Sequence, residues 1–312
     1  MPALKKDSKV FLAGHRGLVG SAIRRALLDQ EYENVLVRTR SELDLADQAA
    51  TYAFLKSERP DVVIVAAAKV GGIQANRTQP ADFIGLNMVI ESNVIWGSHL
   101  AEVPNLLFLG SSCIYPRETP QPIPETALFS GPPEPTNAPY AVAKIAGLYL
   151  CDAISKQYGR YYFTVMPPNV YGPGDNFHPE HSHVIGALIR RFHENLPDKT
   201  VTCWGTGTPR REFLHSSEVA DACLHLLKQE SVHGHLNVGT GESVTIKDLA
   251  ETIQRVVGHT GKIEWDTSMP DGFPEKTMDV SRLNALGWRA TMPLEEGLRS
   301  AYEWFLAHEA AQ

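Results

Sequence analysis

The chain has 312 residues, a formal net charge of −7 and a hydrophobic fraction of 43%. This composition is ordinary for a globular protein and excludes the collagen-like, intrinsically disordered and disulfide-scaffold classes. The net acidity argues against nucleic acid or an anionic membrane as a partner, because a polyanion needs a basic face on the protein.

Short apolar strands alternate with helix-period segments through the first half of the chain. The pattern predicts strands over 10–14, 34–37, 61–68, 106–109 and 163–166, and helices over 18–30, 46–58, 80–103 and 140–158. Apolar strands separated by helices are typical of a parallel sheet that is covered on both faces. We therefore predict an α/β fold, a doubly wound parallel sheet of the Rossmann type with a second, smaller mixed α/β lobe.

The second half of the chain has shorter and more mixed segments. The proline-rich stretch 119–139 predicts a loop, because proline removes an amide donor and fixes φ. We expect an N-terminal domain over 1–170, to which segments near 212–240 return, and a smaller domain mainly over 171–312. Further elements are predicted as helices over 183–194, 216–229 and 245–257 and as a strand over 201–204.

The four cysteines are widely spaced and form no CxxC or zinc-finger pattern. Reduced thiols in a cytoplasmic protein are the expected state. No apolar run approaches the roughly 18 residues of a membrane-spanning helix, and no secretory leader is evident before the first strand. We therefore expect a soluble, cytoplasmic protein.

Three glycines follow the first predicted strand and open the first predicted helix. Their spacing is G-x-x-G-x-x-G, which differs from the generic G-x-G-x-x-G fingerprint. Glycine is needed where the chain turns sharply and where a pyrophosphate approaches backbone amides at a helix N-terminus. Because a strand precedes and a helix follows, dinucleotide binding is favoured over a merely structural turn. The predicted phosphate-binding residues are Gly14, Arg16, Gly17, Leu18, Val19 and Gly20.

The end of the second predicted strand indicates which dinucleotide is bound. An acidic residue there would favour NAD, whereas this strand runs into Arg38 and Arg40. Guanidinium groups suit a 2′-phosphate by charge and by their forked geometry, so we expect NADP(H). The alternative is a solvated strand end, since Glu42 and Asp44 follow closely.

A tyrosine and a lysine lie four residues apart in the predicted helix 140–158, on one face. A lysine beside Tyr140 favours the phenolate and makes the phenol a useful acid–base group. Ser111 follows the strand 106–109, at the edge of the sheet where ligands bind in such folds. A Tyr140/Lys144 pair alone is weak, but combined with the glycine turn and the strand-end serine it indicates a dehydrogenase-type site.

Together these residues resemble the extended short-chain dehydrogenase/reductase family, and more specifically its nucleotide-sugar epimerase-reductases. The resemblance covers essentially the whole chain, and the pair AAAKVGG and GSSCIYP is its most specific part. The matching segments are AAAKVGG (66–72), LGSSCIYP (109–116), NVYGP (169–173), DNFHP (175–179), SHV (182–184), WGTGTP (204–209) and REFLH (211–215).

The resemblance implies that GDP-4-keto-6-deoxy-D-mannose is epimerised at C3 and C5 and reduced at C4 with NADPH, giving GDP-L-fucose. It implies that Cys113 is the base and His183 the acid of the epimerisations, and that Tyr140 protonates the C4 oxygen. Lys144 is expected to orient the nicotinamide ribose, and Ser111 to hold the C4 oxygen. Tyr140, Lys144 and His183 are also expected to contact the cofactor.

The resemblance also implies a set of residues that bind the nucleotide sugar. Trp204 has core packing as its alternative, and Lys276 is a single lysine in a loop. One departure is Pro168, where members of the family generally carry threonine between proline and asparagine. The implied substrate-binding residues are Asn169, Arg191, Trp204, Arg211 and Lys276.

Other interpretations remain open from the sequence. A dehydratase of this family needs acidic residues after the strand-end serine, where this chain has Ser112 and Cys113. A C4-epimerase would not need Cys113 or His183, and a non-catalytic NADP-binding protein would not need the Tyr/Lys pair.

Two further expectations concern metal ions and assembly. His178, His181 and His183 superficially resemble a metal cluster, but no metal is expected. We expect a homodimer formed by the helices over 80–103 and 140–158, although burial against the sheet would explain the same pattern. The apolar stripes that suggest it are Phe83, Ile84, Met88, Ile95, Ala143, Leu148, Leu150 and Ile154.

Overall fold

Thirteen strands are present in the described part of the chain, and six of them form the main sheet. The computed structural model describes residues 4–179, 182–229, 231–269 and 271–308. The strands are β1 (Val10–Ala13), β2 (Val35–Leu36), β3 (Val62–Val65), β4 (Asn105–Leu109), β5 (Tyr161–Met166), β6 (Asn169–Tyr171), β7 (Val201–Trp204), β8 (Arg210–Arg211), β9 (Phe213–His215), β10 (His235–Asn237), β11 (Val244–Thr245), β12 (Ile263–Asp266) and β13 (Glu275–Lys276).

The main sheet has the order β10-β5-β4-β3-β1-β2, and every pairing in it is parallel. The chain enters this sheet at β1, next to the edge, continues to the edge strand β2, crosses back to β3 and then proceeds through β4 and β5 to β10 at the other edge. This topology confirms the predicted doubly wound α/β fold. All four residues of β1 and of β3 are buried, as their continuous apolar sequences require.

The helices predicted from apolar periodicity are present, with ends shifted by a few residues. Three helices were not predicted: α3, α9 and α10. The described helices are α1 (Leu18–Asp29), α2 (Gln48–Glu58), α3 (Ile73–Thr78), α4 (Pro80–Leu100), α5 (Ala138–Tyr158), α6 (Val184–Glu194), α7 (Ser216–Leu227), α8 (Ile246–Val257), α9 (Ser281–Ala285) and α10 (Leu294–His308).

Local chemistry explains where several helices begin and end. Helix α2 begins after Asp47, whose carboxylate accepts a hydrogen bond from the amide of Ala50. Pro80 opens α4, in the first turn, where proline loses no helical hydrogen bond. Helix α5 ends at Gly159, which has a φ of 68° that suits glycine.

Helices cover both faces of the main sheet. Helices α2, α4 and α5 pack on one face, and α1 and α7 pack together on the other. Alternation along the strands divides the core: Val10 and Leu12 face the side of α1 and α7, whereas Phe11 and Ala13 face the side of α4 and α5.

The smaller lobe is built mostly from residues after 170 and has its own apolar core, which includes Phe177, Ile189 and Phe192. Helices α6, α8 and α10 contribute to this core, next to the parallel pair β7–β12 and the three-stranded order β11-β8-β13. Strand β10 lies outside this lobe because it pairs with β5 in the main sheet. The domain boundaries themselves stay a prediction.

The two apolar stripes on α4 and α5 are only partly a surface feature. Phe83, Ile95, Ala143, Leu148 and Ile154 are buried within the chain, so interior packing explains most of the pattern. Along the described chain, no helix combines the length and apolarity that crossing a membrane requires. Exposed large apolar side chains on these two helices are Met88, Val89, Leu100, Val142, Tyr149 and Tyr158.

Candidate active site

The glycine turn between β1 and α1 is shaped by close backbone approaches. Gly14 has a φ of 88°, and a Cβ there would lie 2.5 Å from the amide nitrogen of Ala67. A Cβ on Gly20 would collide with the carbonyl of Gly14. Gly17 differs, because its Cβ would meet nothing nearer than the Gly14 carbonyl oxygen at 3.6 Å. Close backbone contacts therefore explain why positions 14 and 20 are glycine. Gly17 has no such contact, and the absence of a side chain there leaves open space at the start of α1.

The N-terminus of α1 suits an anion. Gly17 is its N-cap, and no side chain caps the first turn. The first amides of a helix have no partner within the helix and carry the positive end of its dipole. A pyrophosphate fits this position, where Leu18 and Val19 begin the helix.

Arginines surround the end of β2 beside this turn. The Arg38 guanidinium lies 5.1 Å from the centre of the Phe54 ring and 3.6 Å from a carboxylate oxygen of Glu58. Arg40 is mostly exposed and lies 3.4 Å from Asp44. Arg16 is exposed and, among the described residues, has no carboxylate within ion-pair distance.

Glu42 lies close enough to two of these arginines for their charges to act on it. Its carboxylate accepts hydrogen bonds from the amide and hydroxyl of Thr39, and these bonds lower its pKa, with smaller contributions from the charges of Arg38 and Arg16. Arg16 and Arg38 come from different loops, and the charges of both act on the Glu42 carboxylate. Guanidinium groups near this position suit the 2′-phosphate of NADP(H).

Ser111 and Tyr140 meet at the carboxyl end of β4. Ser111 caps a short 3₁₀ turn, Ser112–Ile114, and its hydroxyl accepts a hydrogen bond of 3.2 Å from the amide of Cys113. The Tyr140 phenol lies near the Ser111 side chain. Burial raises the pKa of this phenol well above its usual range; the charges of Cys113 and Glu91 raise it further, and the Ser111 hydroxyl opposes them. At neutral pH the phenol therefore holds its proton.

Lys144 lies one helical turn further along α5, beneath the phenol. Its ammonium donates to the carbonyl of Leu109 at 2.9 Å and lies 2.9 Å from Oε1 of Glu91. The same ammonium is 5.8 Å from the centre of the Tyr140 ring. Sequence reasoning missed Glu91, although an acidic residue within the apolar stretch of α4 was a signal that could have indicated it.

Cys113 lines a cavity that reaches the smaller lobe. The cavity is lined by Arg117, Glu134 and Phe273 in addition to the thiol, and Lys276 lies on its far side. Arg117 lies 5.4 Å from the centre of the Phe273 ring and 3.8 Å from Glu134. The structure thus brings the proposed base and one proposed substrate-binding residue to one cavity, together with Arg117, which sequence reasoning did not identify.

His183 is the N-cap residue of α6, and its side chain makes no capping hydrogen bond. Solvent reaches the ring, yet the surrounding protein atoms lower its pKa by desolvation. No hydrogen bond or ion pair joins His183 to Cys113 in the described part of the chain. His181 lies outside the described residues, and within those residues no group of three or more His, Cys, Asp and Glu side chains could hold a metal ion.

Arg211 and Lys276 are direct partners in the parallel pair β8–β13. Arg211 donates to the carbonyls of Phe273 (2.6 Å) and Arg210 (2.7 Å), and burial lowers its pKa. Neither cation has a carboxylate within ion-pair distance among the residues that the structure describes. A partly desolvated cation without a counter-charge favours an anionic ligand.

Glu212 holds these strands in place. Its buried carboxylate accepts hydrogen bonds from the amides of Thr240, Gly241 and Met278, and its backbone carbonyl accepts one of 2.9 Å from the Asn169 side chain. The residue was part of the REFLH segment, but its positioning role was not visible from the sequence.

The remaining two predicted substrate residues lie on α6 and β7. Arg191, in the last turn of α6, donates to the carbonyl of Thr202 at 2.7 Å. Trp204 ends β7 and is 64% exposed, so core packing of its ring is excluded. An exposed indole is available to stack on a planar ligand.

Comparison with known proteins gives a consistent result. Residues 10–239 match the NAD dependent epimerase/dehydratase family. The chain is 54% identical over 314 residues to the GDP-L-fucose synthase of Escherichia coli (strain K12), covering 96% of this chain and 97% of that protein. It is 56% identical over 306 residues to a putative GDP-L-fucose synthase of Arabidopsis thaliana, covering 97% and 93%.

A solved structure with bound cofactor is also similar. The GDP-mannoheptose C4 reductase from Campylobacter jejuni with NADP bound has 34% sequence identity and a TM-score of 0.88, and the alignment covers 97% of this chain and 99% of that one. The chain therefore belongs to the NAD dependent epimerase/dehydratase family and, within it, to the GDP-L-fucose synthases.

Proposed function

We propose that this protein converts GDP-4-keto-6-deoxy-D-mannose to GDP-L-fucose by two epimerisations, at C3 and C5, and a reduction at C4 with NADPH. The observation that carries the proposal is the meeting of Ser111, Cys113 and Tyr140 at the end of β4. A ketone held by the serine and the phenol has a thiol beside it, so one site can exchange protons next to the carbonyl and protonate its oxygen.

NADP(H), when bound, supplies the hydride that reduces C4. We assign its pyrophosphate to the glycine turn and the first amides of α1, and its 2′-phosphate to the arginine cluster. Lys144 orients the nicotinamide ribose, and Tyr140 and His183 border the nicotinamide. The residues assigned to the cofactor are Gly14, Arg16, Gly17, Leu18, Val19, Gly20, Arg38, Arg40, Tyr140, Lys144 and His183.

The epimerisations use the acidity that the C4 ketone gives to C3 and C5. Cys113, as the thiolate, removes the proton from one face and leaves an enolate, whose oxygen Ser111 and Tyr140 stabilise. His183 then protonates the opposite face. Desolvation lowers the pKa of His183, and this makes its imidazolium a stronger acid toward the enolate. Cys113 then releases its proton to solvent and His183 takes one up, and the same sequence at the second carbon completes the inversion.

Reduction of C4 needs a proton for the forming alkoxide. Tyr140 donates it, because the phenol lies near Ser111, which we assign to the C4 oxygen, and burial keeps the phenol protonated. Lys144, held beneath the ring, stabilises the phenolate that remains. Solvent then restores the proton to Tyr140.

The GDP diphosphate is assigned to the cations that lack a carboxylate partner. Arg211 and Lys276 lie side by side on β8 and β13, and we assign Arg191 on α6 to the same ligand. Trp204 packs against the nucleotide and Asn169 contacts the sugar. Lys276 also lines the cavity of Cys113, so a diphosphate bound there has its sugar directed toward the thiol.

The same chemistry weighs against the neighbouring activities. A 4,6-dehydratase needs carboxylates after the strand-end serine, and Ser112 and Cys113 occupy those positions. A C4-epimerase or a non-catalytic NADP-binding protein leaves the Cys113 cavity without a role.

We further propose that the protein is a cytoplasmic homodimer. Its four cysteines are free thiols, in keeping with a reducing compartment. Helices α4 and α5 pack together and expose Met88, Val142 and Tyr149, each more than 40% accessible. A charge introduced among these three exposed side chains, as in Tyr149→Glu, is expected to convert dimers to monomers in analytical ultracentrifugation. An unchanged sedimentation coefficient contradicts this interface.

The activity is tested by supplying GDP-4-keto-6-deoxy-D-mannose and NADPH to the purified protein. We expect one NADPH oxidised per sugar consumed and GDP-L-fucose as the product in NMR spectra. A product reduced at C4 but with unchanged C3 and C5 would reduce the protein to a ketoreductase. No substrate-dependent oxidation of NADPH would overturn the proposal.

A further inference from the structure

Helix α4 presents a row of buried residues, spaced four apart, to the active site. The Phe83 ring lies edge-on to Tyr140, with ring centres 6.4 Å apart. The Asn87 side chain accepts a hydrogen bond of 2.6 Å from the amide of Lys69 and donates one of 3.0 Å to its carbonyl. Glu91 continues the row and contacts Lys144. Three successive turns of one helix face therefore contact Tyr140, the backbone of Lys69 and Lys144.

Glu91 and Lys144 form a buried ion pair. Their side chains are 2% and 3% exposed, and Oε1 lies 2.9 Å from Nζ. Apart from this pair, neither carboxylate oxygen has a hydrogen-bond partner among the described residues. Removing two charges from water costs several kcal/mol per ion, and well-packed apolar residues often stabilise a core at least as well. Stability alone is a weak explanation for a glutamate at this place.

The neighbouring helix leaves room for the carboxylate. A Cβ on Gly147 would lie 3.0 Å from Oε2 of Glu91 and 2.7 Å from the Phe108 ring. Any side chain at position 147 would force the carboxylate or the ring to move. The close approach of α4 and α5 at this glycine therefore lets the carboxylate of Glu91 reach the lysine.

We propose that Glu91 is a positioning residue that holds the Lys144 ammonium beneath Tyr140, between its own carboxylate and the carbonyl of Leu109. The inference rests on the proposed function, because the chemistry it supports is proton donation by Tyr140 during reduction. The two acceptors use two of the three N–H groups of Lys144 and leave the third for a ligand hydroxyl.

The charge of Glu91 acts on the phenol as well. Groups from three elements face Tyr140: Ser111 and Cys113 after β4, Glu91 on α4, and Lys144 on α5 itself. Among them Glu91 and Cys113 raise the phenol pKa by negative charge, after the larger effect of burial. Loss of the Glu91 charge therefore lowers the pKa of Tyr140, and the phenol loses its proton at a lower pH.

Two variants of Glu91 separate the effect of the carboxylate charge from the effect of side-chain length. Glu91→Gln keeps the size and removes the charge, whereas Glu91→Asp keeps the charge and shortens the side chain. For Glu91→Gln we expect kcat of the NADPH-dependent reduction to fall on the order of 10- to 100-fold with KM for the GDP-sugar unchanged. The alkaline limb of its kcat–pH profile moves to lower pH. For Glu91→Asp we expect kcat to fall, with the limb at its wild-type position.

Glu218→Gln is the matched control, because Glu218 is also buried and accepts backbone hydrogen bonds from Thr291 and Met292 away from Lys144. The Glu218→Gln variant is expected to have a lower melting temperature, with kcat and the alkaline limb of the kcat–pH profile at their wild-type values. A folded Glu91→Gln protein with wild-type kcat and limb overturns the inference. If Glu91→Gln does not fold, an unchanged kcat in Glu91→Asp overturns it equally. A wild-type protein without turnover would instead overturn the proposed function.

Discussion

Helix α5 and the strands of the smaller lobe place their positively charged side chains in different surroundings. Lys144 on α5 is buried and held by a carboxylate and a carbonyl, so its position is set before any ligand arrives. Arg211 on β8 donates to backbone carbonyls and Lys276 on β13 lines the cavity of Cys113, and neither has a carboxylate within ion-pair distance in the described chain.

We propose that this difference separates residues that perform chemistry from residues that bind the substrate. A preorganised group lowers the barrier without reorganising during the reaction, and its loss appears in kcat. A cation without a counter-charge is neutralised by the bound anionic ligand, so removing the cation raises mainly KM. The predictions below test whether the two regions divide the kinetic parameters in this way.

The largest effect is expected at the phenol. Tyr140→Phe removes the proton donor and leaves the ring packed against Phe83, so kcat is expected to fall about 10²- to 10⁴-fold. NADPH binding, followed by fluorescence titration, is expected to stay within a small factor of wild type. A variant that retains most of its turnover would remove Tyr140 from the reaction.

Cys113 lies where the two regions meet, since its cavity is also lined by Lys276. Cys113→Ser replaces a thiol by a far weaker base of similar size, so deuterium exchange at C3 and C5 is expected to fall about 100-fold or more. Hydride transfer to a ketone that is already epimerised is expected to persist. Equal losses in both measurements would mean that Cys113 serves the whole site and is not the base.

Arg211 tests the binding half of the comparison. Arg211→Met removes the guanidinium, and KM for the GDP-sugar is expected to rise about 10- to 100-fold, in line with the roughly 1.5–3 kcal/mol of a charged hydrogen bond. The value of kcat is expected to change little. Arg299→Met, on the exposed surface of α10, is the control and is expected to leave both parameters unchanged. A fall in kcat alone would contradict the division.

The smallest effect is expected at the end of β2. Arg38→Met removes one of two arginines at the proposed 2′-phosphate site, so KM for NADPH is expected to rise about 10-fold while KM for NADH changes little. Arg59→Met, on an exposed surface pair with Glu102, is the control. Equal changes for the two cofactors would mean that Arg38 does not distinguish them.

Much of the fold follows from local pattern, because continuous apolar strands and 3.6-residue periodicity are visible in single segments. The predicted α/β fold is confirmed, with β1, β3, β4 and β5 near their expected positions. Strands β8 and β13 were missed, since two-residue strands 65 positions apart carry no periodic signal. Their pairing is what places Lys276 beside Arg211.

The site was predictable where chemistry and motif coincide in one segment. The Tyr140/Lys144 spacing, the strand-end Ser111 and the glycine turn are of this kind, and the structure brings Ser111 and Tyr140 into contact. Glu91 was not found: an acidic residue within the apolar stretch of α4 is unusual, but its partner lies on another helix. Its importance depends on a contact that only the packing of α4 on α5 reveals.

Running the reaction in deuterated water follows the epimerisations and the reduction in one experiment. With GDP-4-keto-6-deoxy-D-mannose and NADPH, the product is expected to carry deuterium at both C3 and C5, with one NADPH oxidised per molecule formed. Mass spectrometry counts the label, and NMR assigns it to each carbon. NADPH oxidation without label at both positions would contradict the central claim, that one site around Cys113 and Tyr140 performs both epimerisation and reduction.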